Sequence, residues 1–338
     1  MTPPDHLHSE LLHCAAYTLT DTDQAAIDTA GIEAFIYAKL TSKKFRKWAV
    51  DESSEKQAKQ AIHVNISEDK PLLFRYPFGG YKLWRMPGSP EVDWAEFFSI
   101  AYYCKYLAPI AAAYKPGIAF AFASDDVIIE RMDNIPTDDT NAYFDSFKKL
   151  LGYFGSYFPD NFAMDIFRIG DLYQDKNSME AELADKVKGA KQAYDTTVSE
   201  DRKKQMYTTS ALNINWDGAK DLTKLSDDEK QAFVQMGPIY HDAYCALSKR
   251  KEFNRGEDKI VLFTTVVPNT IAIGTTKSTI TKFWTGFGAL QKDSDSFRSC
   301  ILSPKQLQSL DSKKYRTIDH PIAEISLANF NNIRLYDI

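Results

Sequence analysis

Apolar and polar positions along the chain follow two rhythms. Runs of strand length, such as "PLLFRYPF" (71–78) and "IAFAFAS" (118–124), carry β-branched, aromatic and small residues and stop at glycine, aspartate or a turn. Between them lie longer stretches with helical spacing. "MPGSPEVDWAEFFSIAYYCKYLAPIAAAY" is the clearest, with Ser89 as its expected N-cap and Pro90 at its first position. Glu91 and Asp93 lie near its positive end, and Pro109 should kink its last turns. "YKPG" then turns the chain into the strand ending at Ser124.

The first 68 residues predict helices: one or two in 9–42 and a charged one in 43–70. After "IAFAFASDD", the segment "VIIERM" reads as a short strand and "TDDTNAYFDSFKKLLGYFGSYF" as a helix capped by Thr137 or Asp138. "NFAMDIFRIGDL" reads as a strand. Residues 177–212 are mostly helical, and 226–253 form a helix capped by Ser226 with Glu229 in the capping-box position. "DKIVLFTTVV", "TIAIGTT", "AEISLANF" and "NIRLYDI" read as strands. The expected fold is therefore α/β, a Rossmann-like mixed sheet flanked by helices, with antiparallel strands in the C-terminal third. No Pro/Gly/Ser-rich linker interrupts it, so 1–338 reads as one domain with a mainly helical segment 1–68 and a weak sub-boundary near 195–225.

Composition narrows the functional classes. At 44% hydrophobic, the 338 residues can build a sizeable core. A net charge of −5 without a long basic block argues against nucleic acid or an anionic membrane as partner. Four scattered cysteines, no apolar leader and no run of membrane-spanning length point to a cytoplasmic protein. Six histidines, three within the first 13 residues, make a His/Cys metal cluster an unpromising reading. There is no P-loop, dinucleotide fingerprint, nucleophile elbow or H-E-x-x-H.

Three stretches can carry chemistry. Asp125 and Asp126 directly follow a strand, where ligands of open α/β sheets gather; they could hold a metal, hold a substrate amine or cap a solvated turn. Around a glycine turn, "FRYPFGGYKLWR" places Arg75, Lys82 and Arg85, either as an anion site or as an aromatic loop with exposed cations. "GTTKSTITKFW" offers Lys277 and Lys282 as anion ligands or as the polar face of a hairpin. Glu130 could form a local ion pair or face the same cleft as Asp125, and His241 reads as a structural helix residue.

The order of these stretches resembles the core of the isonitrile (isocyanide) synthase family, which includes the pyoverdine/paerucumarin-type and yeast spore-wall tyrosine enzymes. That family shows a proline-phenylalanine loop with a lysine, a helix opening P-D-x-G-E, a Y-x-P-G turn, a strand, S-D-G and a later acid. Here Asp93 and Glu96 match the helix opening; Tyr114, Pro116 and Gly117 match the turn; Ser124 and Asp125 match S-D; Glu130 matches the later acid. The likeness covers residues 70 to 175, and "NAYFDSF" with Tyr143 and "MDIFRIGDLY" fall where the family has a helix tyrosine and a strand. Asp126 replaces the family's glycine, Val92 and Ala95 replace its helix-opening proline and glycine, and "LFTTVVPN" lacks its histidine.

The resemblance implies an enzyme of secondary metabolism that joins an amino acid amine, aromatic by expectation, to a carbon of a pentulose phosphate (ribulose 5-phosphate), with no metal or redox cofactor. That chemistry needs a base for the amine, cations for phosphate and carboxylate, and a dry site. Asp125, Glu130, Asp93 and Glu96 are the expected catalytic groups. Arg75, Lys82, Arg85, Ser124, Lys277 and Lys282 are the expected substrate and phosphate ligands. Expected partners are these small molecules and, at most, a second copy of the chain. The competing readings are a metal-dependent glycosyl- or nucleotidyl-transferase gripping a divalent ion through Asp125 and Asp126, and a binding protein without turnover.

Overall fold

A computed structural model describes residues 1–82, 90–248, 256–277, 281–309 and 315–336. Four helices lead: α1 (Pro3–Leu12), α2 (Asp21–Ala30), α3 (Ile32–Leu40) and α4 (Glu52–Ser67). The 9–42 stretch thus contributes to three helices, because Gly31 at φ +83° separates α2 from α3. α1 and α2 start with reciprocal caps, Thr2 with Asp5 and Thr20 with Asp23.

The main sheet holds β1 (Leu72–Phe78), β2 (Ile118–Ser124), β3 (Phe162–Arg168), β4 (Lys259–Phe263) and β5 (Ile271–Ala272), all parallel, in the order β3-β2-β1-β4-β5. α5 (Trp94–Ala113) connects β1 to β2, and α6 (Asp126–Met132) and α7 (Thr137–Gly155) connect β2 to β3. α8 (Lys176–Thr196), α9 (Glu200–Ala211) and α10 (Asp227–Ser248) lie between β3 and β4. The strand order turns back between β1 and β4, so the crevice beyond their carboxyl ends is where a ligand is expected in such a sheet.

β1 alternates strictly: Leu72, Phe74, Tyr76 and Phe78 are buried, while Leu73, Arg75 and Pro77 are half-buried. The buried face forms an aromatic layer under α5 and α7, with Phe120 against Tyr103 at 5.9 Å and Phe122 against Phe147 at 4.9 Å between ring centres.

The antiparallel strands form a second sheet. β6 (Phe287–Asp293) and β7 (Ser296–Leu302) make a hairpin, α11 (Pro304–Ser309) follows, and β8 (Tyr315–Asp319) pairs antiparallel with β9 (Asn332–Tyr336). β9 joins β6 in parallel, giving the order β7-β6-β9-β8. This sheet meets the start of α5: Trp94 donates to the Asn332 carbonyl at 2.8 Å, and a Cβ on Gly288 would strike the Trp94 backbone at 2.3 Å.

Several sequence expectations need correction. "VIIERM" is the helix α6, because β2 ends at Ser124 and the chain leaves the sheet at once. "AEISLANF" is not a strand; it contains a 3₁₀ turn at Ala328–Phe330 that buries Phe330 against Trp94. α5 begins at Trp94 with Asp93 as N-cap, and the expected cap Ser89 lies outside the described residues. α7 has Pro136 at its N-cap position and Thr137 as its first residue. The Ser226–Glu229 cap of α10 forms as expected. Among the described residues no helix is long and apolar enough to cross a membrane.

Candidate functional site

The site begins with the glycine turn after β1. Phe78 ends the strand, its carbonyl accepting the Asp125 N–H at 3.1 Å. Gly80 has φ +69°, and a Cβ there would meet Ser124 Oγ at 1.9 Å; one on Gly79 would meet the Trp284 ring at 2.5 Å. Two glycines thus let this loop lie directly on the end of β2 and on Trp284.

Just past the turn the chain is clamped. Lys82, 7% exposed, donates to Asp93 Oδ1 at 3.0 Å and to the carbonyls of Phe283 and Gly286 at 2.9 and 2.8 Å. Its Nζ also lies 2.8 Å from Glu96 Oε2. Asp93 and Glu96 form the reciprocal cap of α5: Ala95 N–H donates to Asp93 Oδ1 and Asp93 N–H to Glu96 Oε2. The Tyr143 hydroxyl donates to the other Glu96 oxygen at 2.9 Å. Burial pushes the Glu96 carboxyl upward, and Lys82 draws it back. One lysine therefore ties the glycine loop, the start of α5 and the Phe283–Gly286 turn together.

The ends of β2, β3 and β4 present a different cluster. Ser124 is fully buried, and its Oγ has no hydrogen-bond partner among the described residues. Asp125 is half-buried, caps α6 through its backbone only, and has Oδ1 unpartnered there. Burial and the neighbouring Asp126 hold the Asp125 carboxyl well above the usual range, with Lys282 pulling the other way. Tyr244, from α10, is buried with its hydroxyl unpartnered among the described residues and feels the charge of both aspartates. Thr264, just beyond β4, is buried with its hydroxyl likewise unpartnered. Lys282 reaches solvent across Trp284, its Nζ 5.5 Å from the ring centre. Crowding by the protein lowers its pKa, while Asp125 raises it.

Asp126 turns elsewhere. Its Oδ2 lies 2.7 Å from Nε of Arg168, the last residue of β3, and its Oδ1 accepts the Val127 N–H at 2.9 Å. The approach to Arg168 is an ion contact without hydrogen-bond alignment. Burial raises Asp126 to about 6 against the pull of Arg168. Arg168 also covers the Phe144 ring at 4.4 Å.

Among the residues singled out in the sequence, the structure brings Lys282 within electrostatic reach of Asp125, with Ser124 preceding Asp125 at the end of β2. Lys82, Asp93 and Glu96 form the clamp described above. Glu130 accepts from Thr140 Oγ1 at 2.5 Å. Arg75 sits mid-strand on the half-buried face, donating to the Phe74 carbonyl and facing the Phe167 ring. Lys277 lines a separate cleft beside Lys105 and Tyr106, Arg85 lies outside the described residues, and His241 is exposed beside Asp242. Arg168, Tyr244 and Thr264 were missed. Arg168 and Thr264 obey the strand-end rule that drew attention to Asp125, but Tyr244 is an ordinary helix residue whose sequence carries no comparable signal.

No family model matches the chain, and no curated protein does. Among solved structures, the PvcA protein from Pseudomonas aeruginosa shares the fold. The superposition has a TM-score of 0.60 and covers 100% of both chains at 15% sequence identity.

Proposed function

We propose that this chain is an isonitrile-synthase-like enzyme in which Asp125 handles the proton of an amino acid amine during its condensation with the ketone of a pentulose phosphate. The observation that carries the reading is the strand end, where Asp125 Oδ1 and Tyr244 OH are unpartnered among the described residues, Tyr244 and Lys282 both lie within electrostatic reach of Asp125, and the neighbouring Ser124 Oγ is left open under the glycine turn. Buried polar groups are ordinarily paired, and a set left open at the carboxyl ends of a parallel sheet marks a place for a ligand's own polar atoms. The motif order over residues 70 to 175 and the whole-chain likeness in fold to PvcA support the scaffold.

A carboxylate with a raised pKa can take a proton from an ammonium and return it. In the first step the Asp125 carboxylate accepts a proton from the ammonium, and the free amine adds to the ketone as a carbinolamine. Asp125 then protonates the departing hydroxyl, which leaves as water and yields the protonated imine, with Asp125 back as carboxylate. Electrons and protons balance without an oxidant. Lys282 supplies a positive charge for an anionic substrate group, and the aromatics Trp284 and Tyr244 suit an aromatic side chain.

The geometry disfavours the metal-dependent transferase, since Asp126 is committed to Arg168 and a guanidinium so near repels a divalent ion. Incubation with each of the twenty amino acids and ribulose 5-phosphate, with borohydride added in parallel, tests the proposal. An isonitrile product, or a reduced amine adduct of the two substrates, supports it; neither with any amino acid sinks it.

A further inference from the structure

A second place in the molecule has the opposite electrostatic character. Between the end of α1, the end of α3 and the middle of α5 lies a cleft of about 540 Å³. Lys39, Lys44, Lys105 and Lys277 line it, and no Asp or Glu does. Lys39 is paired with Asp23 at 2.5 Å, whereas Lys44, Lys105 and Lys277 have no carboxylate within ion-pair distance among the described residues. In a chain of net charge −5, three exposed lysines without an ion-pair partner line this one cavity, and Glu10 beyond it tempers the charge of Lys105.

Other features show a built cavity. The Ser42 hydroxyl, also in the lining, is buried without a hydrogen-bond partner among the described residues. Lys105 Nζ lies 3.1 Å from His13 Nε2, and burial with that lysine's charge lowers His13 to about 4; the neutral ring accepts from the lysine and holds it in place. Lys47 adds a further ammonium nearby, donating to the Lys277 carbonyl at 3.3 Å. The Tyr106 ring, stacked on Phe45 at 5.1 Å, gives one wall a rigid aromatic surface. An adjoining cleft of about 630 Å³ shares Lys105, Tyr106 and Lys277 and is of mixed charge, with Glu10, Asp293 and Arg298 also in its lining.

We propose that this lysine-lined cleft is a binding site for a small organic phosphate carrying at least two negative charges. Three ammonium groups without a carboxylate in ion-pair distance among the described residues and one open hydroxyl match the several acceptor oxygens of such a group, and the tyrosine wall suits an attached ring. The site stands apart from the proposed reaction: none of its lining residues belongs to the cluster of Ser124, Asp125, Tyr244 and Lys282. The inference therefore holds or fails independently of that reaction.

Titration calorimetry on the full chain at low salt, with inorganic pyrophosphate, ATP and adenosine as probes, tests it. The expected result is binding of pyrophosphate or ATP but not adenosine, weakened by added salt and by at least about tenfold in the Lys105→Gln/Lys277→Gln double variant. ATP binding more tightly than pyrophosphate supports a site that also reads a ring; equal affinities support one that reads phosphate alone. Asp125→Asn should leave the binding unchanged. Absence of binding by both phosphates overturns the proposal, as does binding that survives the double variant or is lost in Asp125→Asn. If the double variant does not fold, as judged by circular dichroism, Lys44→Gln and Lys277→Gln made singly replace it, each expected to weaken binding.

Discussion

Two polar clusters lie on either side of the Gly79–Gly80 turn, and they are finished differently. In the Lys82 cluster the ammonium meets two carboxylates and two carbonyls, and both Glu96 oxygens are engaged; among the described residues only Asp93 Oδ2 lacks a hydrogen bond. In the strand-end cluster, Ser124, Asp125, Tyr244 and Thr264 each keep a polar atom without one there. Burial alone does not separate them. What separates them is whether the described residues supply the partners, as expected for a clamp, or leave the atoms open, as the proposed ligand site requires.

Asp125→Asn should give the largest effect on that contrast. Removing a proton-transfer group of this kind lowers turnover by roughly 10²- to 10⁴-fold, while the urea midpoint should stay level or rise because a buried, poorly paired carboxylate is gone. Product formation and urea unfolding measured on the same preparation check both halves. Retained turnover would remove Asp125 from the chemistry. Lys82→Met tests the other cluster. Stranding Asp93 and Glu96 without their cation should cost about 3–5 kcal/mol of stability, read from urea denaturation. A loss within about 1 kcal/mol, no larger than an exposed ion pair contributes, would mean that the lysine does not hold the loop.

Gly80→Ala sits between the two clusters and should cost about 1–3 kcal/mol, since alanine would carry the strain of a positive φ and press on Ser124 Oγ. Adding Ser124→Gly should restore part of it, and the coupling measured in that double-mutant cycle tests the close approach directly. Strict additivity would argue against it.

The same contrast explains what the sequence revealed and what it hid. The apolar pattern was enough for β1 and β2, whose strand-length runs stop at a glycine turn and at the aspartates. It was not enough for the β6–β7 hairpin, where four consecutive residues, Gly288 to Gln291, are buried and no alternation shows. "VIIERM" has the β-branched residues of a strand, yet it lies past the carboxyl end of β2 and coils into α6; position in the fold overrode propensity. Asp93 and Glu96 were read as catalytic acids, but the D-x-x-E spacing before an apolar run is also that of a capping box, and their geometry is that of a cap. Asp125 was legible because its strand announces it. Tyr244 was not, because only the fold brings α10 to the strand ends.

The smallest expected effect is a pH dependence, and it distinguishes Asp126 from both clusters. Its pKa in the folded chain is about 6, above the ordinary 3.8. Between those values the folded state holds a proton that the unfolded state has released. Stability from this group is therefore present at and below about pH 4 and is lost as pH rises through 6, with a slope of at most about 1.4 kcal/mol per pH unit. The Arg168 contact at 2.7 Å is already part of that balance and keeps the rise from being larger. Urea midpoints of the natural chain and of Asp126→Asn, compared at pH 4.5 and 7.5, isolate it from the other acids. The difference between the two proteins should shift against the natural chain at the higher pH. If it moves the other way, the Arg168 pair outweighs burial, Asp126 is an ordinary structural ion pair, and the proton chemistry at this strand end belongs to Asp125 alone.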